Sequence, residues 1–320
     1  MAELVTAASI EELDSLLLDT QELQVGFPFP KIIHLVWFSP DNSPIPEKWT
    51  ESPKAWQELH PGWKIVIWNL NMARELISLQ EPDFLPTYDR FPYLIQRCDA
   101  IRPAFLKRYG GFYIDLDMVP NENIEKYFDP AQGGIAGDLY FVTHANMSFL
   151  YNNCIMASKA KHPFWDLTFE EMKKPAPGWA IGKHYTVMAT TGPVMISNAI
   201  HEYDGAIIRL PWKKFNPEDT PASDKFDPKK AAIRNLQGGS WHAWDSLVLG
   251  FVRKYWDLII LILVVLIVIA IIIFLYYRRS YNTCRTEWEL PARAGILPDS
   301  SCELNSSPAT PYIAASLKRM

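Results

Sequence analysis

The chain is short of several things that would each have named a class of protein. It has four cysteines in 320 residues, Cys98, Cys154, Cys284 and Cys302, and no two stand in a C-x-x-C spacing. Neither a zinc site nor a small disulfide scaffold therefore organises it. It also lacks a basic surplus, since 31 Lys and Arg stand against 36 Asp and Glu for a net charge of −5. With no basic face before the stretch beginning at Arg253, a nucleic-acid partner is excluded. The first 24 residues have neither a basic start nor an unbroken apolar core, so no export signal is expected at this end. They carry instead ASIEELDSLLLDTQEL, an amphipathic pattern with Ser9 and Glu12 at capping-box spacing. Residues 1–26 are expected to form a solvated helical arm.

Charge is missing altogether from residues 258–277, LIILILVVLIVIAIIIFLYY, which match the ~20 apolar residues a helix needs to cross a bilayer. Tyr255, Trp256, Tyr276 and Tyr277 bracket the run as interfacial aromatics, and Arg253, Lys254, Arg278 and Arg279 stand where they can reach headgroups. A single-pass membrane helix is expected here. Beyond it residues 278–320 are polar, contain Pro291, Pro298, Pro308 and Pro311, and are expected to be disordered. Basic residues lie on both sides of the span, and their excess after it favours a cytosolic tail. That would put the preceding domain in the lumen of the secretory pathway, where Asn146-Met147-Ser148 would report by glycosylation.

What is present is a chain 48% hydrophobic, enough for one sizeable core, which we place at residues 27–250. Its centre is residues 97–120, RCDAIRPAFLKRYGGFYIDLDMVP. Cys98, Ile101, Phe105, Leu106 and Tyr109 recur at helical spacing, and Gly110-Gly111 supplies the backbone freedom for a stop. Pro103 lacks an N–H and marks a place where that helix begins or kinks. Phe112, Tyr113 and Ile114 then read as a strand with Asp115 and Asp117 two residues apart at its end, the period that puts alternate side chains on one face. Two hard oxygen donors so placed suit Mg²⁺ or Mn²⁺ carrying a diphosphate. Lys31 to Phe38 and Trp63 to Trp68 read as further strands, each followed by a helical pattern, and this order gives a mainly parallel sheet covered on both faces. Ligands then bind at the carboxyl ends of the strands.

The block from Arg97 to Met118 resembles the D-x-x-R...YGG-x-Y-x-D-x-D pattern of the DXD-containing sugar-binding glycosyltransferases of family 32, closest to the catalytic subunits of fungal inositol-phosphoceramide mannosyltransferases. Further stretches carry the same resemblance: KIIHLVW at the first strand, NNCIMASKAKHPF around Asn153, and TGP at Thr191-Gly192-Pro193. The resemblance implies a GT-A-like α/β nucleotide-sugar fold followed by the C-terminal transmembrane helix, and a membrane-bound retaining transferase moving mannose from GDP-mannose to a lipid such as inositol phosphoceramide. Asp115 and Asp117 would hold Mn²⁺, with Mg²⁺ an alternative, and the diphosphate. Asp99 and Arg102 would bond the sugar, with Asn153 beside them, and Val36 and Trp37 would meet the base. His34 is a candidate support for the site or a core histidine. Cys154 stands where aspartate is common in the family, which leaves recognition there open. In GGSWHAWD, His242 is the candidate third metal ligand, beside Ser240 and Trp241. Implied partners are the nucleotide sugar, a lipid or glycan acceptor, the membrane and a regulatory membrane subunit, in the endoplasmic reticulum or Golgi. Two alternatives stand: a UDP-hexose transferase acting on glycans or proteins, and a non-catalytic membrane-anchored regulatory subunit.

Overall fold

A computed structural model describes residues 1–18, 26–39, 41, 43–144, 149–216, 227, 230–236, 238, 248, 251–252 and 254–294, the last twelve of these as backbone only. His242 with its neighbours Ser240 and Trp241, and Asn146-Met147-Ser148, lie outside the described residues.

Two compact units are present, residues 1–247 and 248–320. In the first, described elements follow in the order β1 (Glu3–Val5), α1 (Ile10–Leu17), β2 (Ile32–Val36), α2 (Glu51–Leu59), β3 (Lys64–Trp68), α3 (Leu70–Gln80), α4 (Leu85–Arg90), α5 (Leu94–Tyr109), β4 (Gly111–Ile114) and β5 (Met118–Pro120). They continue with β6 (Leu139–Thr143), β7 (Tyr151–Ser158), α6 (Phe164–Lys173), α7 (Gly182–Thr190), α8 (Pro193–Glu202), β8 (Ile208–Leu210), α9 (Trp212–Phe215) and β9 (Ile233–Asn235). Seven strands form one sheet in the order β1-β3-β2-β4-β7-β6-β8, and β5 pairs with β9 apart from it. Only the β4·β7 and β7·β6 pairings within the large sheet are antiparallel, so it is mainly parallel, as expected.

β2 is the pivot of this order. The chain leaves it through α2 to β3 on one side, then returns through α3 to α5 to β4 on the other. The carboxyl ends of β2 and β4 therefore border the crevice where an α/β sheet takes its ligands. Two apolar cores cover the sheet. Phe105, Trp68, Phe141 and Trp165 lie in one, and Trp56, Trp63, Phe112 and Phe128 in the other.

α5 crosses the first core with ten of its residues buried. It runs unbroken through Pro103, whose missing N–H costs one hydrogen bond to the Asp99 carbonyl but whose ring is buried with its neighbours. The helix stops at two glycines because no other residue fits. Gly110 and Gly111 have φ of 68° and 99°, and a Cβ on Gly111 would stand 2.6 Å from the Ile32 carbonyl oxygen of the neighbouring strand. His34 locks the same turn from β2. Its ring is fully buried on Phe105, with 4.5 Å between centroids, and bonds the Gly110 carbonyl through Nε2 at 2.9 Å and the Trp68 indole N–H through Nδ1 at 3.1 Å. An indole can only donate, so Nδ1 accepts and Nε2 carries the proton. Burial holds the imidazole down at about 3, against the opposing effect of the Gly110 bond, and His34 is the core histidine of the two roles considered.

The first residues are not a solvated arm. β1 adds a parallel strand to β3, and Ile10, Leu13 and Leu17 of α1 are fully buried. Ser9 Oγ does cap this helix, accepting from the Glu12 amide at 3.2 Å. The apolar stripe had a sheet to pack on, and amphipathicity alone does not distinguish that from exposure.

In the second unit α10 (Trp256–Ala294) is the one helix among the described residues long and apolar enough to cross a membrane, over Trp256–Asn282. It is apolar on every side, as a lipid-facing helix is. The helix runs on to Ala294, against the disorder expected from residue 278: RRSYNTCRTEWEL contains no glycine or proline to stop a helix already nucleated in the apolar run, and Pro291 stands only in its last turn.

Candidate active site

Beyond Ile114 the chain turns at once. The Met118 amide donates to the Asp115 carbonyl at 3.0 Å, so Asp115 and Asp117 share a tight turn and owe their common direction to it, not to strand alternation. The Asp115 amide is tied to the Cys154 carbonyl of β7 at 2.9 Å, and the Asp117 carbonyl accepts from the Leu236 amide at 2.6 Å. The turn is thus fixed from both sides.

It faces a cavity of about 640 Å³ lined by Val36, Trp37, Arg102, Asp115, Asp117, Asn153 and Cys154, among others. Every described candidate residue except Asp99 and His34 is on this wall. Asp99 is 2% exposed and sits behind Arg102, its Oδ1 accepting from Nη2 at 2.8 Å. The same Nη2 lies 3.2 Å from Asp115 Oδ1, Nη1 donates to the Asn153 carbonyl at 2.9 Å, and the guanidinium stacks 4.5 Å over the Tyr113 ring. The Tyr113 hydroxyl donates to Asp115 Oδ1. Asn153 turns its amide inward, donating to Asp99 Oδ1 at 3.3 Å, and the Thr191 hydroxyl donates to Asp99 Oδ2 at 3.2 Å. Gln96, Asp99 and Arg102 recur every three residues on α5, and this spacing is the signal of one polar stripe inside a buried helix. Gln96 extends the stripe to the Thr190 hydroxyl at 2.8 Å.

The charges do not balance. Burial pushes Asp99 up to about 7 despite Arg102 and leaves Asp115 raised as well. Asp117 rises to about 6, first through burial and then through the charge of Asp115, while the Gly238 amide bonds its Oδ2 at 2.7 Å. Burial works against the Arg102 charge, and Asp99, Tyr113 and Asp115 together more than restore it. Three carboxylates share one guanidinium, and burying an uncompensated charge costs several kcal/mol. An added cation would offset that excess. Among the described residues Asp115 takes its donors on Oδ1, which leaves Oδ2 for a divalent ion needing hard oxygen ligands, while Asp117 accepts from the Gly238 amide and from its own. No group of three His, Cys, Asp or Glu side chains able to hold a metal occurs among the described residues, and the expected third ligand, His242, is outside them.

Several wall residues escaped the sequence reading. Trp49 meets Trp37 edge to face at 5.6 Å on the cavity wall. Lys183, Asn216 and Asn235 come from loops and element ends with no motif to mark them. The Asn216 amide donates to Cys154 Sγ at 3.7 Å, so the thiol takes a polar partner in the wall.

Residues 46–133 match the glycosyltransferase sugar-binding region containing DXD motif. They belong to that family. Over 240 residues the chain is 30% identical to inositol phosphoceramide mannosyltransferase 3 of Schizosaccharomyces pombe, covering 72% of this chain and 60% of the relative. It is also 30% identical over 229 residues to mannosyl phosphorylinositol ceramide synthase SUR1 of Saccharomyces cerevisiae, covering 69% and 53%. The chain thus spans little more than half the length of these curated relatives. Among solved structures the PaToxG glycosyltransferase is similar at a TM-score of 0.42 and 15% identity, over 60% of this chain and 76% of that one.

Proposed function

We propose that this DXD family member is a membrane-tethered glycosyltransferase that moves mannose from GDP-mannose to a lipid of the inositol-phosphoceramide class in the endoplasmic reticulum or Golgi. The observation that carries the reading is the pairing of Asp115 and Asp117 beside a buried, charged Arg102 in one cavity at the carboxyl ends of β2 and β4. The relatives named above as inositol phosphoceramide mannosyltransferase and mannosyl phosphorylinositol ceramide synthase support the choice of sugar and acceptor.

Asp115 and Asp117 would hold Mn²⁺ or Mg²⁺, whose charge would stabilise the departing diphosphate. Arg102 supplies the protein's own positive charge, and four contacts fix its direction: Asp99, Asp115, the Asn153 carbonyl and the Tyr113 ring. Asp99 therefore acts by aiming Arg102 at the donor sugar, not by reaching into the cavity. Trp37 and Trp49, in edge-to-face contact on the cavity wall, offer an apolar surface for a nucleobase to rest on. The carboxylates around the sugar favour the positive charge that develops as the glycosidic bond to phosphate breaks. The acceptor hydroxyl attacks C1 from the leaving-group side as the C1–O bond to phosphate breaks, and the departing phosphate oxygen takes its proton, so configuration is retained without a separate side-chain base. α10 keeps the site near the bilayer and raises the effective concentration of a lipid acceptor.

Purified full-length protein, incubated with Mn²⁺ and each common sugar nucleotide, should release GDP from GDP-mannose without any acceptor. Release of UDP from UDP-glucose or UDP-galactose, with none of GDP, would overturn the donor. No release from any donor would leave the regulatory-subunit alternative.

A further inference from the structure

The sheet has two unlike ends, and its register says which is which. Gly111 and Leu139 both pair with Ser158, so the start of β6 is level with the start of β4, and Ile135 leads into the end away from Asp115. β7 runs the other way. Ile155 pairs with Ile114, so the residues before Cys154 extend past the site, and Phe149 just ahead of β7 stands on the site's side, 61% exposed. On the same side, the loop between α6 and α7 presents Trp179, 54% exposed, and Ile181, 69% exposed, immediately before the cavity residue Lys183.

This loop is not slack. The Ala180 amide donates to the Pro177 carbonyl at 2.8 Å, the Ile181 amide to Trp179 at 2.9 Å, and the Thr186 hydroxyl to Ala180 at 3.1 Å. Trp179 rests edge-on against Tyr185 with 6.5 Å between ring centroids. An ordered backbone thus holds an indole and an isoleucine in the open, where each large apolar side chain forgoes the favourable free energy of burial. The same chain carries a helix able to cross a membrane, and residues 237–255 between β9's end and that helix reach at most roughly 65 Å when fully drawn out. The surface that these side chains meet is therefore a lipid one, and Trp is the side chain best suited to a membrane interface.

We propose that the site end of the domain docks on the bilayer, with Trp179, Ile181 and Phe149 entering its interface and the cavity opening toward the lipid surface. A lipid acceptor then reaches Asp115 and Arg102 laterally from the membrane, a consequence that rests on the transferase reading, whereas the docking itself does not.

The test is photolabelling of the full chain in phosphatidylcholine nanodiscs containing a diazirine-bearing phosphatidylcholine, followed by peptide mapping. Label is expected on α10 and also on peptides containing Trp179, Ile181 and Phe149, with the Ile135 peptide unlabelled. In the W179S/I181S variant, loop labelling should fall roughly fivefold or more, since interfacial binding scales with buried apolar area, with α10 labelling unchanged. Label confined to α10, or equal label at Ile135 and Trp179, would overturn the proposal. Acceptor-free GDP release, measured on the same preparations, should be unchanged in the variant. Docking label with no hydrolysis of any donor would keep the docking and remove the transferase reading, so the two fail separately.

Discussion

Each half of α5 sets an arginine against aspartate, and the two pairings serve opposite ends. Near its carboxyl end Arg108 meets Asp14 of α1 through Nε at 2.8 Å and through Nη2, and the Tyr109 hydroxyl donates to the same carboxylate at 2.8 Å. Both side chains are partly exposed, at 30% and 21%. Burial alone would raise the Asp14 carboxyl, but Arg108 and Tyr109 outweigh it and hold it below the ordinary range. A turn and a half earlier Arg102 and Asp99 are almost wholly out of water, and there the carboxyls of Asp99, Asp115 and Asp117 are all pushed up. One guanidinium to one carboxylate is a clamp. One guanidinium to three carboxylates is a site that pays in stability for a charge it receives only with its ligand.

The largest expected effect comes from removing the positive charge at the buried half. Arg102→Met keeps the volume but leaves Asp99 without its cation, and should destabilise the domain by about 3–5 kcal/mol in denaturation of the purified full chain. Adding Asp99→Asn should restore part of that loss, giving a coupling energy well above 0.5 kcal/mol in the double-mutant cycle. Additive losses would mean that Asp99 and Arg102 do not work as one unit. Next comes Asp117→Asn, which should cut acceptor-free GDP release by roughly 10²–10³ and abolish Mn²⁺ binding in calorimetry, as should a chelator for the unaltered chain. Stability should hold or rise, because a raised carboxylate is a destabilising one. A fall in stability would place Asp117 with the clamps.

How much of this difference could be read beforehand depends on whether the cause is local. The helix, the double glycine, the strand and the paired aspartates of residues 97–120 are all specified by neighbours in the chain, and they recur in the structure as α5, Gly110-Gly111, β4 and the Asp115 turn. The period of three joining Gln96, Asp99 and Arg102 was there to be seen as a polar stripe, yet whether it faced water or the core depended on β7 and the end of α7, both distant in sequence. The same limit explains α1. Its stripe of Ile10, Leu13 and Leu17 was legible, but the partner that buries it, reached through β1 and Asp14, was not. Trp49, Lys183, Asn216 and Asn235 reach the cavity from separate loops and element ends, so no spacing in the sequence could gather them.

A third prediction uses pH to separate a neutral core group from the charged ones. Folded His34 resists protonation down to about 3, whereas an unfolded histidine takes a proton near its ordinary value of 6.5. The unfolded state therefore binds more protons between these limits, and stability falls as pH drops from about 6.5, by up to ~1.4 kcal/mol per unit for this group. His34→Gln should flatten that slope in denaturation curves taken from pH 7 to pH 5. An unaltered slope would show that His34 is protonated in the fold, against its bonds to Trp68 and Gly110.

The smallest effect belongs to the exposed clamp and decides whether the contrast along α5 is real. Asp14→Asn removes a bidentate partner from Arg108 and an acceptor from Tyr109, but water reaches both sides of the pair. The loss should be about 1 kcal/mol, and salt should shrink it. Because the lowered carboxyl of Asp14 stabilises the fold above its unfolded pKa and stops doing so as pH falls through the folded one, the difference from the unaltered chain should vanish in acid. GDP release should not change. A large loss of release would mean that α1, through Arg108, sets the position of the whole helix, and that the two halves of α5 are one device.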